Sequence, residues 1–191
     1  MAGIVDRVKN ILLTPKTEWP VIDGESGDTK EVFTYVAILA LLPLIGTIIG
    51  SAIVGVLPLT YGLAAGAVGY LLAFVVVYVV AFVINALAPT FGSEKHMPSA
   101  LKLTAYAYTA SWVAGIFAII PVLGGLIALA GGIYSLYTLY LGLPTMMRTP
   151  QDKVMGYFIV SLICAIIVSI VITAVIGGLL LFPFAALIAT R

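Results

Sequence analysis

The fold is decided by residues 71–84, LLAFVVVYVVAFVI, a run of apolar side chains without a charge or a polar break. The absence of charge extends outward, because no Asp, Glu, Lys or Arg occurs in residues 32–93. Two further charge-free stretches cover residues 103–147 and 154–190. The chain is 62% hydrophobic and 9% charged, whereas soluble domains usually have about 25% charged residues. The composition therefore predicts an integral membrane protein.

The apolar runs predict helices, since they lack the alternation of a barrel strand and backbone amides in lipid must pair internally. A helix needs about 20 residues to cross the bilayer. Turn-forming residues divide the first two stretches, at 57–62 (LPLTYG) and 121–125 (PVLGG). We predict an all-α membrane domain at residues 32–191, after a cytoplasmic segment 1–31, with five transmembrane helices at about 32–56, 61–88, 103–120, 126–143 and 154–176.

The distribution of basic residues predicts the orientation. Short loops rich in Lys and Arg stay cytoplasmic. With a cytoplasmic N-terminus, eight of the nine basic residues lie inside, and Arg191 alone lies outside. An alternative with six spans would turn back at Gly177-Gly178, but its last span would have only about 12 residues. Whether residues 177–191 extend the fifth helix or re-enter the membrane stays open.

The N-terminal segment contains an amphipathic helix, in which Ile4, Val8 and Ile11 fall on one face and Arg7 and Lys9 on the other. Such a helix either lies on the cytoplasmic leaflet or packs under the helix bundle. We predict an interfacial helix, followed by Trp19 as an anchor at headgroup level. No cleavable signal peptide is expected.

Small residues at four-residue spacing predict close helix packing. They form two motifs, Gly46 to Gly50 and Gly62 to Gly66. We interpret both as seams inside the bundle first, and as a dimer surface second. Pro43, within the first span, predicts a kink there.

The residues give little basis for catalysis. The predicted spans contain no ionisable Asp, Glu, Lys, Arg or His, which argues against a carboxylate proton relay. His96 is interpreted as a loop residue and Cys164 as an apolar filler, and neither has the spacing of a metal site. A net charge of +1 gives no basis for nucleic-acid binding. We therefore expect no enzyme, no cofactor and no metal.

Several motifs in fixed order resemble the bacterial branch of the Yip domain family, whose eukaryotic members were named for interaction with Rab-type GTPases. The motifs are 15–19 (PKTEW), 101–109 (LKLTAYAYT), 120–124 (IPVLG), 134–144 (YSLYTLYLGLP) and 152–157 (DKVMGY). The resemblance implies a five-helix domain in the bacterial inner membrane, with a cytoplasmic N-terminus and an external C-terminus. Rab binding is not carried over, because the N-terminal region is short.

We predict a non-enzymatic membrane scaffold that binds lipids, a protein partner or a second copy of itself on its cytoplasmic face. Lys95, Lys102, Arg148 and Lys153 are the candidate contacts for anionic lipid headgroups or a partner. The alternative is that these four residues only set the topology. A second hypothesis is a small channel or facilitator for a neutral solute or ion, with Asn85, Ser111 or Tyr137 lining a polar cavity.

Overall fold

The computed structural model describes residues 3–25, 28–54, 59–120, 122–172, 174–175 and 178. Within these residues the protein is helical and has no strand, so the all-α prediction is confirmed. Short 3-10 turns occupy Ala88–Phe91 and Ile116–Ile119. The α-helices are α1 (Ile4–Leu13), α2 (Pro15–Gly24), α3 (Thr29–Leu39), α4 (Leu41–Val54), α5 (Leu59–Leu87), α6 (Met97–Ala107), α7 (Thr109–Gly115), α8 (Leu123–Met146) and α9 (Val154–Ile172).

In the described part of the chain, four helical stretches are long and apolar enough to cross a membrane. They are Thr29–Val54, Leu59–Phe91, Leu123–Met146 and Val154–Ile172. The third predicted span, residues 103–120, is not among these four, so the predicted count of five is not confirmed. That stretch does not form one helix, because α6 ends at Ala107, α7 covers only seven residues, and a 3-10 turn follows.

Hydroxyl groups explain the break between α6 and α7. Ser111 N donates a hydrogen bond to Ser135 Oγ (3.1 Å), and Ala107 O accepts one from Thr138 Oγ1 (3.2 Å). In a continuous helix this N–H and this carbonyl would pair with each other. Two hydroxyls of α8 therefore replace one backbone hydrogen bond of the helix, and side chains inserted in this way bend or break helices. Thr109 Oγ1 adds a bond to Tyr106 O (2.6 Å).

The first long stretch is interrupted at Ala40, between α3 and α4, within one turn of Pro43. Proline has no N–H and its ring crowds the preceding turn, so an interruption here agrees with the predicted kink. Pro43 also packs closely on another helix, since a Cβ added at Gly115 of α7 would lie 2.6 Å from Pro43 Cβ. The kink therefore lies at a helix contact.

The four glycines of the predicted packing motifs lie at contacts inside the bundle. A Cβ added at Gly46 or Gly50 would overlap the carbonyl oxygens of Gly115 and Ala118, respectively. A Cβ at Gly62 would overlap the Ser51 side chain, and one at Gly66 would lie 2.8 Å from Leu44 Cδ1. Glycine permits this backbone approach because it has no side chain. These glycines bring α4 against α5 on one side and against α7 and the following turn on the other.

The N-terminal helices α1 and α2 form a hairpin that packs against α8. Trp19 is fully buried and donates from Nε1 to Thr138 O (3.1 Å), and Tyr134 Oη donates to Leu12 O (2.7 Å). Trp19 is therefore not placed as the expected anchor at headgroup level. Its indole instead fills the space left by Gly142 on α8. Packing on the bundle is thus the arrangement found, although the hairpin still exposes three apolar side chains, at Val5, Leu13 and Val21.

Some sequence predictions fall outside the described residues. The turn predicted at 57–62 falls partly on residues 55–58, and the turn at 121–125 begins at Pro121. The C-terminal stretch 177–191, except Gly178, also lies outside.

Candidate functional site

The two polar islands of the sequence meet in space. Glu94 N donates to Met147 O (2.9 Å), and Ser93 Oγ donates to Thr149 Oγ1 (2.9 Å). Ser93 and Thr149 are both buried, so this contact is part of the packed structure. We call residues 92–96 and 147–153 together the island pair. It joins the end of α5 to the start of α6, and the end of α8 to the start of α9.

Three of the four candidate basic residues lie exposed on the island pair: Lys95, Arg148 and Lys153. Arg148 Nε lies 3.0 Å from Glu94 Oε2, and the two side chains are 63% and 67% exposed. Ion pairs at this exposure contribute only about 0–1 kcal/mol and exchange easily with other partners. The island pair therefore presents three cationic side chains that a negatively charged group can reach.

The fourth candidate, Lys102, does not reach the surface as expected. Its side chain is buried, and Nζ donates to Ile22 O (3.0 Å) and Glu25 O (2.6 Å) at the C-terminal end of α2. A cation is favourable where helix carbonyls lack partners. Lys102 therefore connects α6 to the N-terminal hairpin.

A buried ion-pair network holds the hairpin itself. Arg7 of α1 pairs with Glu18 of α2 and with Glu25, and Arg7 and Glu18 are only 3% and 5% exposed. Asn10 Nδ2 donates to the second oxygen of Glu18 (3.1 Å). The guanidinium carbon of Arg7 lies 5.5 Å from the centre of the Tyr106 ring. Buried charges of this kind require partners, and here every charge has one.

Sequence reasoning missed this network. Arg7 was placed on the polar face of an amphipathic helix, where a charge is expected in water. The available signal was the Thr14-Pro15 break, which allows α1 and α2 to fold back and brings Arg7 to Glu18. No pattern in the sequence shows that Arg7 lies against Tyr106 while Lys9, two residues later, stays exposed.

Two cavities adjoin these groups. One, of about 390 Å³, lies between the hairpin, α3 and α6, and it is lined by charged residues of both signs, including Arg7, Glu31 and Lys102. The other, of about 290 Å³, connects the end of α2 to the island pair and includes His96 and Arg148. His96 also caps α6, because Ser99 N donates to its Nδ1 (3.3 Å). We call the hairpin, the island pair and these cavities the charged end of the bundle.

The residues named for a channel are not brought together in the described part of the chain. Ser111 lines a third cavity, of about 490 Å³, whose walls are mainly apolar. Asn85 and Tyr137 are not among the residues lining that cavity. Asn85 is buried, and its Oδ1 has no hydrogen-bond partner among the described residues. Tyr137 is exposed on α8.

Comparison with known proteins gives one match. The family profile described as the Yip1 domain matches residues 9–175, which covers most of the chain. The matched region includes α2 to α9 and therefore the island pair, Lys102 and the ion partners of Arg7 on α2. No curated protein and no solved structure matches the chain.

Proposed function

This chain belongs to the Yip1 domain family, and from that premise we propose that it is a non-enzymatic membrane scaffold whose island pair binds anionic lipid headgroups. Family membership and four long apolar helices make it a multi-pass membrane protein. The observation that carries the proposal is the meeting of the two islands, which gathers Lys95, Arg148 and Lys153 on one surface.

The proposal places the charged end in the cytoplasm of a bacterial cell, at the inner membrane. The positive-inside bias supports this orientation, since all basic residues except Arg191 lie in the hairpin, in α3, at the island pair or at Lys102.

The proposal also includes five crossings, the third of them by the broken stretch Met97 to Ile119. Lys102 lies at the charged end of this stretch, bonded to α2. Ala118, near its other end, lies against Gly50, far along α4 from the start of α3. The broken stretch thus lies alongside the first long helical stretch, because α6 packs against α3, and α7 and the following turn pack against α4. Its broken hydrogen bonds are satisfied by hydroxyls of α8, and non-helical backbone is tolerated in the membrane where protein partners satisfy it.

The strength of headgroup binding follows from the number of cations. A Lys or Arg near an anionic membrane surface contributes about 1 kcal/mol. Three together therefore contribute up to about 3 kcal/mol, which is roughly a hundredfold in affinity. Glu94 and Asp152, on the same surface, reduce this value.

Native mass spectrometry of the purified protein with phosphatidylglycerol tests the proposal. The variant Lys95→Gln/Arg148→Gln/Lys153→Gln should retain at least tenfold less of the lipid than the wild type. The control Lys9→Gln/Lys16→Gln/Lys30→Gln removes three exposed charges from the N-terminal region and should retain it as the wild type does. Equal retention by the two triple variants would contradict a headgroup site at the island pair and would favour a protein partner there.

The apolar lining of the cavity of about 490 Å³ supports a scaffold over a channel, since a path for ions or polar solutes needs polar groups along its wall. Liposomes with the reconstituted protein should accordingly show no flux of small neutral solutes or ions above that of empty liposomes. Saturable flux would favour a channel or facilitator over a scaffold.

A further inference from the structure

A cavity of about 490 Å³ lies between α8 and α9, away from the charged end. Its long walls are residues 128–139 of α8 and residues 161–170 of α9, so it runs along the helices for roughly 14 Å at 1.5 Å per residue. Val80 and Ile84 of α5, with Ser111 of α7, close its inner side. Its volume lies in the range of about 300–1,000 Å³ that is typical of small-molecule sites.

The position of the cavity determines which molecules can reach it. Both α8 and α9 are long apolar helices of the membrane domain. Of the four long apolar stretches, α9 is the least buried, since only 11% of the residues in its most apolar part are buried in the protein. Leu129, Ile133 and Ile170 line the cavity and are also exposed, so they form its outer edge. In a membrane this edge contacts hydrocarbon. The molecules that surround this edge of the cavity are therefore mainly lipids.

A buried polar group on the wall lacks a hydrogen-bond partner among the described residues. Ser161 of α9 is 1% exposed, lines the cavity, and its Oγ has no hydrogen bond among the described residues. Two other serines on the wall, Ser111 and Ser135, bond to each other at 2.9 Å. A buried hydroxyl without a partner is costly and rare in native proteins. The Ser161 hydroxyl is thus a donor available to a molecule in the cavity.

The depth of Ser161 indicates which part of a lipid it would meet. It lies seven residues after Val154, the first residue of α9, which follows the charged Asp152 and Lys153. That spacing corresponds to roughly 10 Å along the helix. The headgroup zone of a bilayer leaflet is about 5–7 Å thick. Ser161 therefore lies about 3–5 Å below the level at which the ester carbonyls give way to acyl chains.

We propose that this cavity binds one acyl chain of a glycerolipid, whose ester carbonyl accepts a hydrogen bond from Ser161 Oγ. The apolar walls take up the chain, and the buried Ser161 hydroxyl sets its depth. This site is separate from headgroup binding at the island pair, and neither depends on the other.

Two glycines of α8 allow the cavity to be filled with a matched control. Gly132 lines the cavity, and a Cβ built there meets no atom within 4 Å. Gly125 also has open space around it but does not line the cavity. Gly132→Phe should therefore occupy the cavity without disturbing the helix contacts, whereas Gly125→Phe adds the same ring elsewhere on the same helix.

The wild-type protein and the two glycine variants would be reconstituted in phosphatidylcholine nanodiscs. The nanodiscs would contain a trace of phosphatidylcholine with a diazirine on one acyl chain. After photolysis, crosslinks would be mapped by peptide mass spectrometry. Ala165 lines the cavity, whereas Ile163 and Ile167 are exposed on α9, do not line it, and report on the surrounding lipid. The ratio of crosslinks at Ala165 to those at Ile167 should fall at least fivefold in Gly132→Phe and stay unchanged in Gly125→Phe. An equal ratio in both variants would overturn the site.

A second pair of variants tests the hydroxyl. Ser161→Ala removes the donor, while Cys164→Ala makes a change of similar size on the same helix, at a residue that does not line the cavity. One hydrogen bond of ordinary strength corresponds to a change of about threefold to tenfold. Ser161→Ala should lower the Ala165 crosslink ratio by that factor, and Cys164→Ala should not. An unchanged ratio in Ser161→Ala would overturn the carbonyl contact.

Discussion

At the scale of single residues, the charged end depends on two buried cations. Arg7 and Lys102 lie among groups that compensate them: Arg7 among carboxylates, and Lys102 among carbonyls. Removing one partner of a buried ion pair leaves the other uncompensated, which costs more than the pair itself contributes. Surface lysines such as Lys9 and Lys95 have no such role. The two kinds of basic residue should therefore respond differently to neutralisation.

Arg7→Gln should release the N-terminal hairpin, because it leaves Glu18 and Glu25 without their cation. We expect a local destabilisation of about 3–5 kcal/mol, measured by amide hydrogen exchange in α1 and α2. Lys9→Gln, two residues away and exposed, should leave exchange unchanged. The double variant Arg7→Gln/Glu18→Gln should recover part of the loss, since fewer charges are then unpaired. Wild-type exchange rates in Arg7→Gln would show that the network does not hold the hairpin.

Lys102→Met should loosen the C-terminal turn of α2. Methionine keeps much of the apolar volume but cannot donate to Ile22 O and Glu25 O, which are then left without those bonds. We expect faster cleavage of the chain after residue 22 by a broad-specificity protease. Such a protease is used because trypsin cleaves after Lys and Arg, and the substitution itself would remove a trypsin site. Lys95→Met, with its side chain exposed, serves as the control. Equal cleavage rates in both variants would contradict the assigned role of Lys102.

At the scale of helices, the bundle is assembled by close backbone contacts at particular glycines. Gly50 of α4 touches the backbone near Ala118, whereas Gly69 of α5 has open space around it. Both are glycines in apolar helices, so sequence composition treats them alike. Their surroundings differ, and so should their tolerance of a methyl group.

Gly50→Ala and Gly69→Ala should change stability in opposite directions. Alanine is a better helix former than glycine by up to about 1 kcal/mol, so Gly69→Ala should stabilise the protein slightly. At Gly50 the added methyl overlaps Ala118 O and forces the helices apart, which should cost about 1–3 kcal/mol. Thermal unfolding in detergent measures both effects. A rise in Tm for Gly50→Ala would contradict the contact.

At the scale of the whole molecule, the hairpin, the island pair and Lys102 all lie at one end, and the 3-10 turn after α7 lies at the other. The chain must therefore pass between the ends several times, including through the broken stretch α6 and α7. This arrangement makes the orientation testable with two labels at opposite ends.

Single cysteines in a Cys164→Ser background should react from opposite sides of the membrane. Lys95→Cys, on the island pair, should be labelled by a membrane-impermeant maleimide only after the cells are opened. Val122→Cys, exposed just before α8, should be labelled in intact cells. The reason is that an odd number of crossings separates the two positions if residues 97–119 span the membrane. Labelling of both positions from the same side would exclude five crossings.

Some residues of the candidate site could be predicted from the sequence, and others could not. Lys95, Arg148 and Lys153 were recognisable because they interrupt long charge-free runs, and a charge between two membrane helices must lie at a helix end. The burial of Lys102 was not recognisable, since its partners are carbonyls of α2, some 80 residues earlier in the chain. The burial of Trp19 was missed for the same reason, because the space for its ring is made by Gly142 on α8.

The sequence by itself determined the solvent, the helical class and the family, because each follows from local patterns: long apolar runs must be helices in lipid, and ordered motifs identify relatives. Only the tertiary structure decided that the third predicted span is broken, since hydroxyls from α8 compete for its backbone bonds. The tertiary structure also decided that Arg7 of α1 is buried in an ion-pair network. It likewise decided that a cavity lies between α8 and α9, with a buried serine that has no hydrogen-bond partner among the described residues. Such features depend on which side chains meet across long sequence separations, and no local pattern encodes those meetings.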